Sequence, residues 1–532
     1  MIVGLSSISG LLLGACSTGF GVSALPSQLL HRRQEIRCTD ATFSTVNIEA
    51  PGLPAASISV KVDTTDPGGL LGRWKIENPN AAEVCNVKVT VVPEGSDNPI
   101  SFAVYLPAAD SSDADTKWNQ RFLTVGNGLF DGGIQYNSMF QYLTHGFASM
   151  STNTGHEGEG AAGAAAMNTE NKQKDWSWRA MAYSVPMAKN LVSVYYDQTA
   201  KSSFYAGCST GGRQGLRQLE FDPQSFNGAL IGAPAWDTTN ILPWVTFLQT
   251  LTALTPQQIQ LIESQMITAQ CFDAGTGAAR WVRAPVKCKK TFDDLNLWSG
   301  MACNATNPPA GCFEDINQAK NFVKDDLEIQ GTNFRHAGYD LSAVRFWQSY
   351  IGASLKDVAA AVRRVILNGA PDWGDDGGQG YYASLTAWAD QPDMKPQVNP
   401  RALGAFGGKM ILYNGLRDGL LPAGGTFGFY QQVPNKDSIR YYEIPGMEHC
   451  ANLAAPTQIP WYIGGVGLVP FGTNSLPYIP KNSPFNQGTD ALSMLVTWAE
   501  GGDEPRDLTA VGLNAQRQAA TQETVSSITE RK

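Results

Sequence analysis

Charge is what this sequence has least of. Only 16% of its 532 residues are Asp, Glu, Lys or Arg, against roughly a quarter in an average soluble domain. Acidic residues outnumber basic ones by 48 to 39, leaving a net charge of −9. A nucleic-acid binder needs a basic face to displace counterions from phosphates, so that class is excluded. Long apolar runs are missing as well. Ile8 to Cys16 comes nearest, and Gly4, Ser6, Ser7, Ser9 and Gly10 dilute it below what a membrane span requires. No two cysteines have C-x-x-C spacing, which removes the usual zinc frameworks. No internal repeat is visible. Histidine is scarce, at five in the whole chain, so any chemistry that needs an imidazole has few places to find one.

The first 31 residues contain no Lys, Arg, Asp or Glu, and the short apolar stretch is followed by Val22-Ser23-Ala24, a small-x-small cleavage pattern. Residues 1–24 therefore read as a signal peptide and the mature protein as secreted and extracellular. Leu13-Gly14-Ala15-Cys16 offers a competing reading as a bacterial lipidation site. Arg32-Arg33 is either a processing site or a solvated pair. Loss of Cys16 with the signal leaves Cys38, Cys85, Cys208, Cys271, Cys288, Cys303, Cys312 and Cys450, an even number that suits an oxidising compartment and up to four disulfides. The sequon at Asn304-Ala305-Thr306 agrees with a glycosylated surface loop of a secreted protein.

Phe204 to Gly215 holds the strongest motif. Gly207, Ser209 and Gly211 make G-x-S-x-G, preceded by a short buried strand over 203–206 and followed by helical spacing over 212–221, with Leu216 and Leu219 on one face. That is the strand-turn-helix context of a nucleophile elbow. Apolar runs at 86–92, 100–106, 121–125, 147–151, 228–234, 409–413 and 440–444 read as the other strands, the last of these closing the set. Helical spacing recurs at 176–195, 257–267, 357–367 and 491–498. Between about 240 and 395 the pattern changes to one rich in cysteine, Gly, Asn and Pro. The fold class is therefore α/β, an α/β-hydrolase fold with a large inserted lid domain: core in two parts at 25–240 and 396–514, lid at 241–395, and a polar tail at 515–532.

Two late strand ends supply the remaining chemistry. Asp418 lies just beyond 409–413 and His449 just beyond 440–444, giving the chain order Ser, Asp, His of α/β-hydrolases. His449 would act as general base to Ser209, with Asp418 fixing its tautomer and stabilising the imidazolium; Glu448 is the weaker competitor for that place. One oxyanion donor is the amide of Thr210, after the nucleophile. The second is assigned to Gly128, in the glycine-rich loop after 121–125. His156 reads as a structural or pocket-edge histidine. The chain is rich in aromatics, with 13 Trp, 17 Tyr and 22 Phe. Trp281, Phe292, Trp298, Phe346 and Trp347 are available in the insertion as flat walls for a ring, although core packing is the commoner role for such residues.

Cys208 directly precedes Ser209, and Cys450 directly follows His449. In this Cys-Ser, Asp, His-Cys pattern the chain resembles the tannase and feruloyl esterase family. The likeness extends over Gly126 to Gly128, Thr152 to His156, Tyr205 to Gly215, Ile231 to Ala235, the cysteine pairs of the insertion and Pro445 to Cys450. The resemblance implies a serine carboxylic-ester hydrolase with a lid that binds the aromatic acid. Its substrate would be a small aromatic ester or a plant polysaccharide ester, feruloyl ahead of galloyl. A non-catalytic hydrolase-fold binding protein would typically have lost a triad member, and all three are present. If Ser209 and His449 approach each other, Cys208 and Cys450 stand about a disulfide's span apart. Three departures from the family are visible. Leu129 stands where a further glycine is common, and 176–182 carries no histidine. The span between Cys271 and Cys288, where the family places calcium-binding aspartates, has only Asp273; calcium usually takes six to eight oxygens with several carboxylates among them. No metal or other cofactor is therefore expected.

Overall fold

The computed structural model describes residues 38–44, 50–77, 83–109, 117–272, 282, 284–304, 306–322, 326–332, 335–337, 354–374, 376–451, 461–464, 490–513 and 519–530. The segment 1–24, the Arg32-Arg33 pair, Asp273, Trp281, Phe346 and Trp347 lie outside them. The apolar runs of the sequence assemble into a nine-stranded mixed sheet whose edge strand, the largely exposed Ala56–Val62, was not among them. Its strands are β1 (Ala56–Val62), β2 (Val84–Pro93), β3 (Ile100–Pro107), β4 (Arg121–Val125), β5 (Ala148–Thr152), β6 (Ser202–Cys208), β7 (Gly228–Gly232), β10 (Lys409–Gly415) and β11 (Ile439–Ile444). They lie in the order β1-β2-β3-β5-β4-β6-β7-β10-β11. The small hairpin β8 (Asp326–Glu328) and β9 (Arg335–Ala337) stands apart. Pairing is antiparallel from β1 to β5 and parallel from β5 to β11. Parallel strands are covered on both faces and so read as nearly unbroken apolar runs; Ala148–Thr152 and Gly228–Gly232 are buried at every position.

Two apolar clusters lie on the two faces of this sheet. One joins Val87, Val89 and Phe102 to Leu191, Leu216 and Leu219; the other joins Tyr105, Leu123 and Phe204 to Leu492 and Leu495. The helix Ala491–Ala499 is tied down at its C-terminal end. Arg121 donates Nε and Nη2 to the two carboxylate oxygens of Glu500 at 2.7 and 2.8 Å, and Ser202 Oγ adds a 2.6 Å bond. These bonds, Arg121 first, hold the Glu500 carboxyl down at about 2. A bidentate pair of this kind fixes orientation in a way that exposed single-contact pairs do not.

Between β7 and β10 the chain leaves the sheet and builds a body with its own core, in which Trp244, Ile262, Met266, Phe292, Met301 and Phe313 pack together. The disulfides Cys271–Cys288 and Cys303–Cys312 lie in this body. Cys38–Cys85 staples the N-terminal segment to β2. Asn304 is exposed in a turn. Among the described residues no helix is long and apolar enough to cross a membrane.

The C-terminal end departs from the sequence reading. Ile439–Ile444 is not the last strand, and the described part of the segment read as a tail, 519–530, is not one. Ala519–Ser526 forms β14, paired antiparallel with β13 (Asp507–Leu513), which in turn pairs with β12 (Trp461–Tyr462). Beyond it the Ile528 amide donates to the Tyr441 carbonyl at 2.9 Å. The sequence Ala-Ala-Thr-Gln-Glu-Thr-Val-Ser has too little apolar alternation to announce a strand; its partner strand decides the conformation. Truncation after Leu513 is therefore expected to lower Tm by several degrees by thermal unfolding, whereas removal of a true tail would leave Tm unchanged.

Candidate active site

Ser209 sits where β6 ends and the helix Thr210–Phe221 begins, at φ 62° and ψ −127°. A side-chain-bearing residue in that region costs on the order of 1–3 kcal/mol and persists only where its surroundings enforce it. The Ser209 amide donates to the Gly232 carbonyl at 3.0 Å, and the Ser209 carbonyl accepts from the amides of Arg213 and Ala235, each at 3.0 Å. The turn also requires close backbone approach. A Cβ on Gly211 would lie 2.9 Å from the Asn127 carbonyl oxygen and 3.2 Å from Gly126 Cα, so the loop after β4 presses directly on the elbow.

Asp418 and His449 come from the loops after β10 and β11. These meet so closely that a Cβ on Gly415 would stand 2.2 Å from the Met447 carbonyl oxygen. His449 Nδ1 is 2.7 Å from Asp418 Oδ2. The other carboxylate oxygen accepts the amides of Leu420 and Leu421 at 3.0 and 2.8 Å. Both side chains are buried, so the carboxylate is held on two sides and the imidazole has one orientation. Glu448 faces Arg417 instead, at 3.5 Å. The disulfide Cys208–Cys450, with Cα atoms 5.7 Å apart, ties the residue before Ser209 to the residue after His449 across 242 positions of sequence. Cys450 is itself at φ 58°.

Thr210 lines the pocket beside Ser209. In the loop after β4 it is Leu129, at φ 36°, that lines it, while the Gly128 carbonyl accepts the Asp131 amide at 2.9 Å. Asn127 locks this loop, donating Nδ2 to the Gly133 and Thr152 carbonyls and its amide to Gln214 Oε1 at 2.8 Å. His156 is buried with Nε2 at 2.8 Å from the Phe130 carbonyl oxygen, so it braces the same loop from behind. Burial lowers its pKa. Asp131 accepts the Gly160 amide at 2.6 Å, and burial pushes its carboxyl up to about 6.

The cavity at Ser209 has a volume of ≈ 60 Å³ and is mostly apolar, with core residues on one side and Ile241, Leu242, Val245, Val358 and Val362 of the insertion on the other. Its aromatic residues are Phe130, Trp176 and Tyr381. Phe292 and Trp298, which the sequence offered as ring walls, pack against each other in the core of the insertion. No local sequence signal marks Trp176 as a pocket residue. It lies on a π-helical turn, Asp175–Arg179, ahead of the helix Ala180–Tyr196, stacked between Phe130 at 4.9 Å and the guanidinium of Arg213 at 4.0 Å. Such turns break a helix's hydrogen-bond ladder and often mark functional sites. Arg213 is fully buried. It donates to the carbonyls of Ser177, Trp176 and Pro396 and pairs with no carboxylate among the described residues. Burial, with Arg217 adding to it, pushes its pKa down to about 9.

Closing a loop this long stabilises a chain by at most about 5 kcal/mol in the chain-entropy model, and misplacing a reacting group by about 1 Å can cost about a hundredfold in rate. The double variant Cys208→Ala, Cys450→Ala is therefore expected to lose about a hundredfold in kcat at a temperature where circular dichroism shows it folded. Full activity under those conditions would make the bridge structural only.

The model of the family described as tannase and feruloyl esterase matches residues 85–345 and 388–527. Among curated proteins, a probable feruloyl esterase B-2 of Aspergillus flavus is 27% identical over 436 residues, covering 76% of this chain and 78% of that one. Among solved structures, feruloyl esterase B from Aspergillus oryzae superposes with a TM-score of 0.70 at 22% identity, covering 94% of this chain and 96% of the other. Tannin acyl hydrolase from Aspergillus niger gives 0.66 at 18% identity, covering 93% and 92%. At these identities the structural likeness speaks to the fold, that of an α/β-hydrolase, while the family match spans most of the sequence. The chain belongs to the tannase and feruloyl esterase family of carboxylic-ester hydrolases.

Proposed function

We propose that the protein is a secreted esterase that releases phenolic acids from plant cell-wall esters, feruloyl and related hydroxycinnamoyl esters first among them, through an acyl-serine intermediate. The observation that carries this reading is the buried Asp418–His449 pair, cross-linked through Cys450 and Cys208 to the residue next to Ser209. Ser209 Oγ attacks the ester carbonyl while His449 takes its proton, and Asp418 stabilises the imidazolium. Negative charge forming on the carbonyl oxygen is met by the Thr210 amide at the start of the helix Thr210–Phe221 and by an amide of the Gly128–Leu129 turn. Collapse of the tetrahedral intermediate expels the alcohol, which takes its proton from His449. Water, deprotonated by the same histidine, then releases the acid and restores Ser209.

An apolar pocket bordered by Phe130, Trp176 and Tyr381 suits a flat aromatic acyl group. The relatives' names as feruloyl esterases place hydroxycinnamate ahead of gallate. Four disulfides and the exposed sequon Asn304 support export. None of these steps calls on a metal. EDTA is accordingly expected to leave Tm and activity unchanged; a fall in Tm of several degrees that calcium restores would place a calcium site in the protein.

Ser209→Ala is expected to lower turnover by about 10⁴- to 10⁶-fold with the circular dichroism spectrum unchanged. Residual activity of even a tenth would refute the nucleophile. A panel of methyl ferulate, methyl p-coumarate, methyl caffeate, methyl gallate and peptides, compared by kcat/KM, tests the substrate class. Preference for methyl gallate would make the enzyme a tannase.

A further inference from the structure

The loops that carry Asp418 and His449 meet at a second pair of side chains. Arg417 immediately precedes Asp418, Glu448 immediately precedes His449, and the two face each other with Nη2 3.5 Å from Oε1. Asp418, Glu448 and His449 are all buried, while the Arg417 side chain is 18% exposed. Consecutive residues have Cα atoms about 3.8 Å apart, so a charge on Glu448 stays near the imidazole whichever way its side chain turns. In buried surroundings such a charge is only weakly screened.

Holding the two loops together does not require this ion pair. The Arg417 amide already donates to the Met447 carbonyl at 2.9 Å, and the Leu416 amide to the Ile444 carbonyl at 3.0 Å. Gly415 lies so close to the Met447 and Glu448 carbonyl oxygens that a Cβ would stand 2.2 and 2.5 Å from them. A buried ion pair is also a weak source of stability, because desolvation of the two charges offsets most of their attraction. What the guanidinium adds, and backbone bonds cannot, is positive charge beside a carboxylate that the base does not use.

Asp418, Glu448 and Arg417 together carry one negative charge, which the imidazolium cancels when His449 takes the Ser209 proton. Without Arg417 the cluster would carry two, and the second carboxylate would favour the imidazolium before any substrate arrives. A base already protonated cannot accept the serine proton. Strand β10 brings one more titratable group, Tyr413, near Asp418, and burial keeps its hydroxyl protonated.

We propose that Arg417 is a positioning residue that acts through Glu448: it neutralises the carboxylate next to His449 and leaves Asp418 as the one anion that orients and charges the imidazole. This deepens the mechanism proposed above and rests on His449 as its base.

The acid limb of a kcat/KM profile against pH reports protonation of the base in the free enzyme. The profile is measured on whichever methyl ester of the panel above turns over fastest. Glu448→Gln leaves the guanidinium without its anion and is expected to move that limb down by about 0.5 to 1 pH unit. Arg417→Met leaves the carboxylate without its cation and should move the limb up. The double variant, with neither charge, should return the limb to the parent's position. A limb that stays put in Glu448→Gln, or in Arg417→Met should Glu448→Gln not fold, overturns the proposal, as does a double variant shifted as far as either single one. His449→Ala separates this failure from that of the mechanism. A tenth or more of the parent's activity in His449→Ala would remove the base itself, whereas an inactive His449→Ala beside an unmoved limb refutes only the role of Arg417.

Discussion

The disulfide between Cys208 and Cys450 joins two loops that are each held in left-handed backbone, Ser209 at φ 62° and Cys450 at φ 58°. Each loop alone carries strain. Bound together, and pressed against Gly126, Gly232 and Gly415, they have little freedom to relax. The sharp turn at Ser209 places the residue on the wall of the pocket, and the cross-link ties the histidine loop to the residue before it. Precision of this kind matters more to an acyl-transfer site than the modest stability a long loop closure contributes.

Parallel pairing places the remaining parts of the site. Strands β6, β7, β10 and β11 run the same way, so Ser209, Ala235, Asp418 and His449 all follow strand carboxyl ends at one edge of the sheet, the usual location of ligand sites in such sheets. The insertion departs from the carboxyl end of β7, and its first helix, Thr238–Leu248, therefore begins at the site. Arg213 secures that arrangement. One buried guanidinium holds carbonyls from the π-turn at Trp176 and Ser177 and from Pro396, where the chain returns to the core. A charge buried without a carboxylate is costly unless its hydrogen bonds are well made. Here it draws three segments around one pocket.

Ser209, Asp418 and His449 were legible as candidates in the sequence because each belongs to a short local signal: a glycine-flanked serine after an apolar run, and an aspartate and a histidine just past two later runs. The order of those signals gave the hydrolase fold, and the cysteines beside Ser209 and His449 gave the cross-link and the family resemblance. The core strands were equally readable, since burial on both faces leaves unbroken apolar runs. Polar Ala519–Ser526 carried no such mark, and its strand exists only because β13 offers it a ladder.

Tertiary structure alone decided which aromatic rings face the pocket, and it kept Asp418 rather than Glu448 beside His449. Phe292 and Trp298 look like walls in sequence but fill the core of the insertion, while Phe130, Trp176 and Tyr381 come together from three distant segments. Glu448 is adjacent to His449 in the chain, yet it turns to Arg417, and Asp418 reaches the imidazole from another strand end. Chemistry that depends on residue type and local backbone is written along the chain. Pocket shape depends on contacts between segments far apart in sequence, and no local pattern encodes those distances.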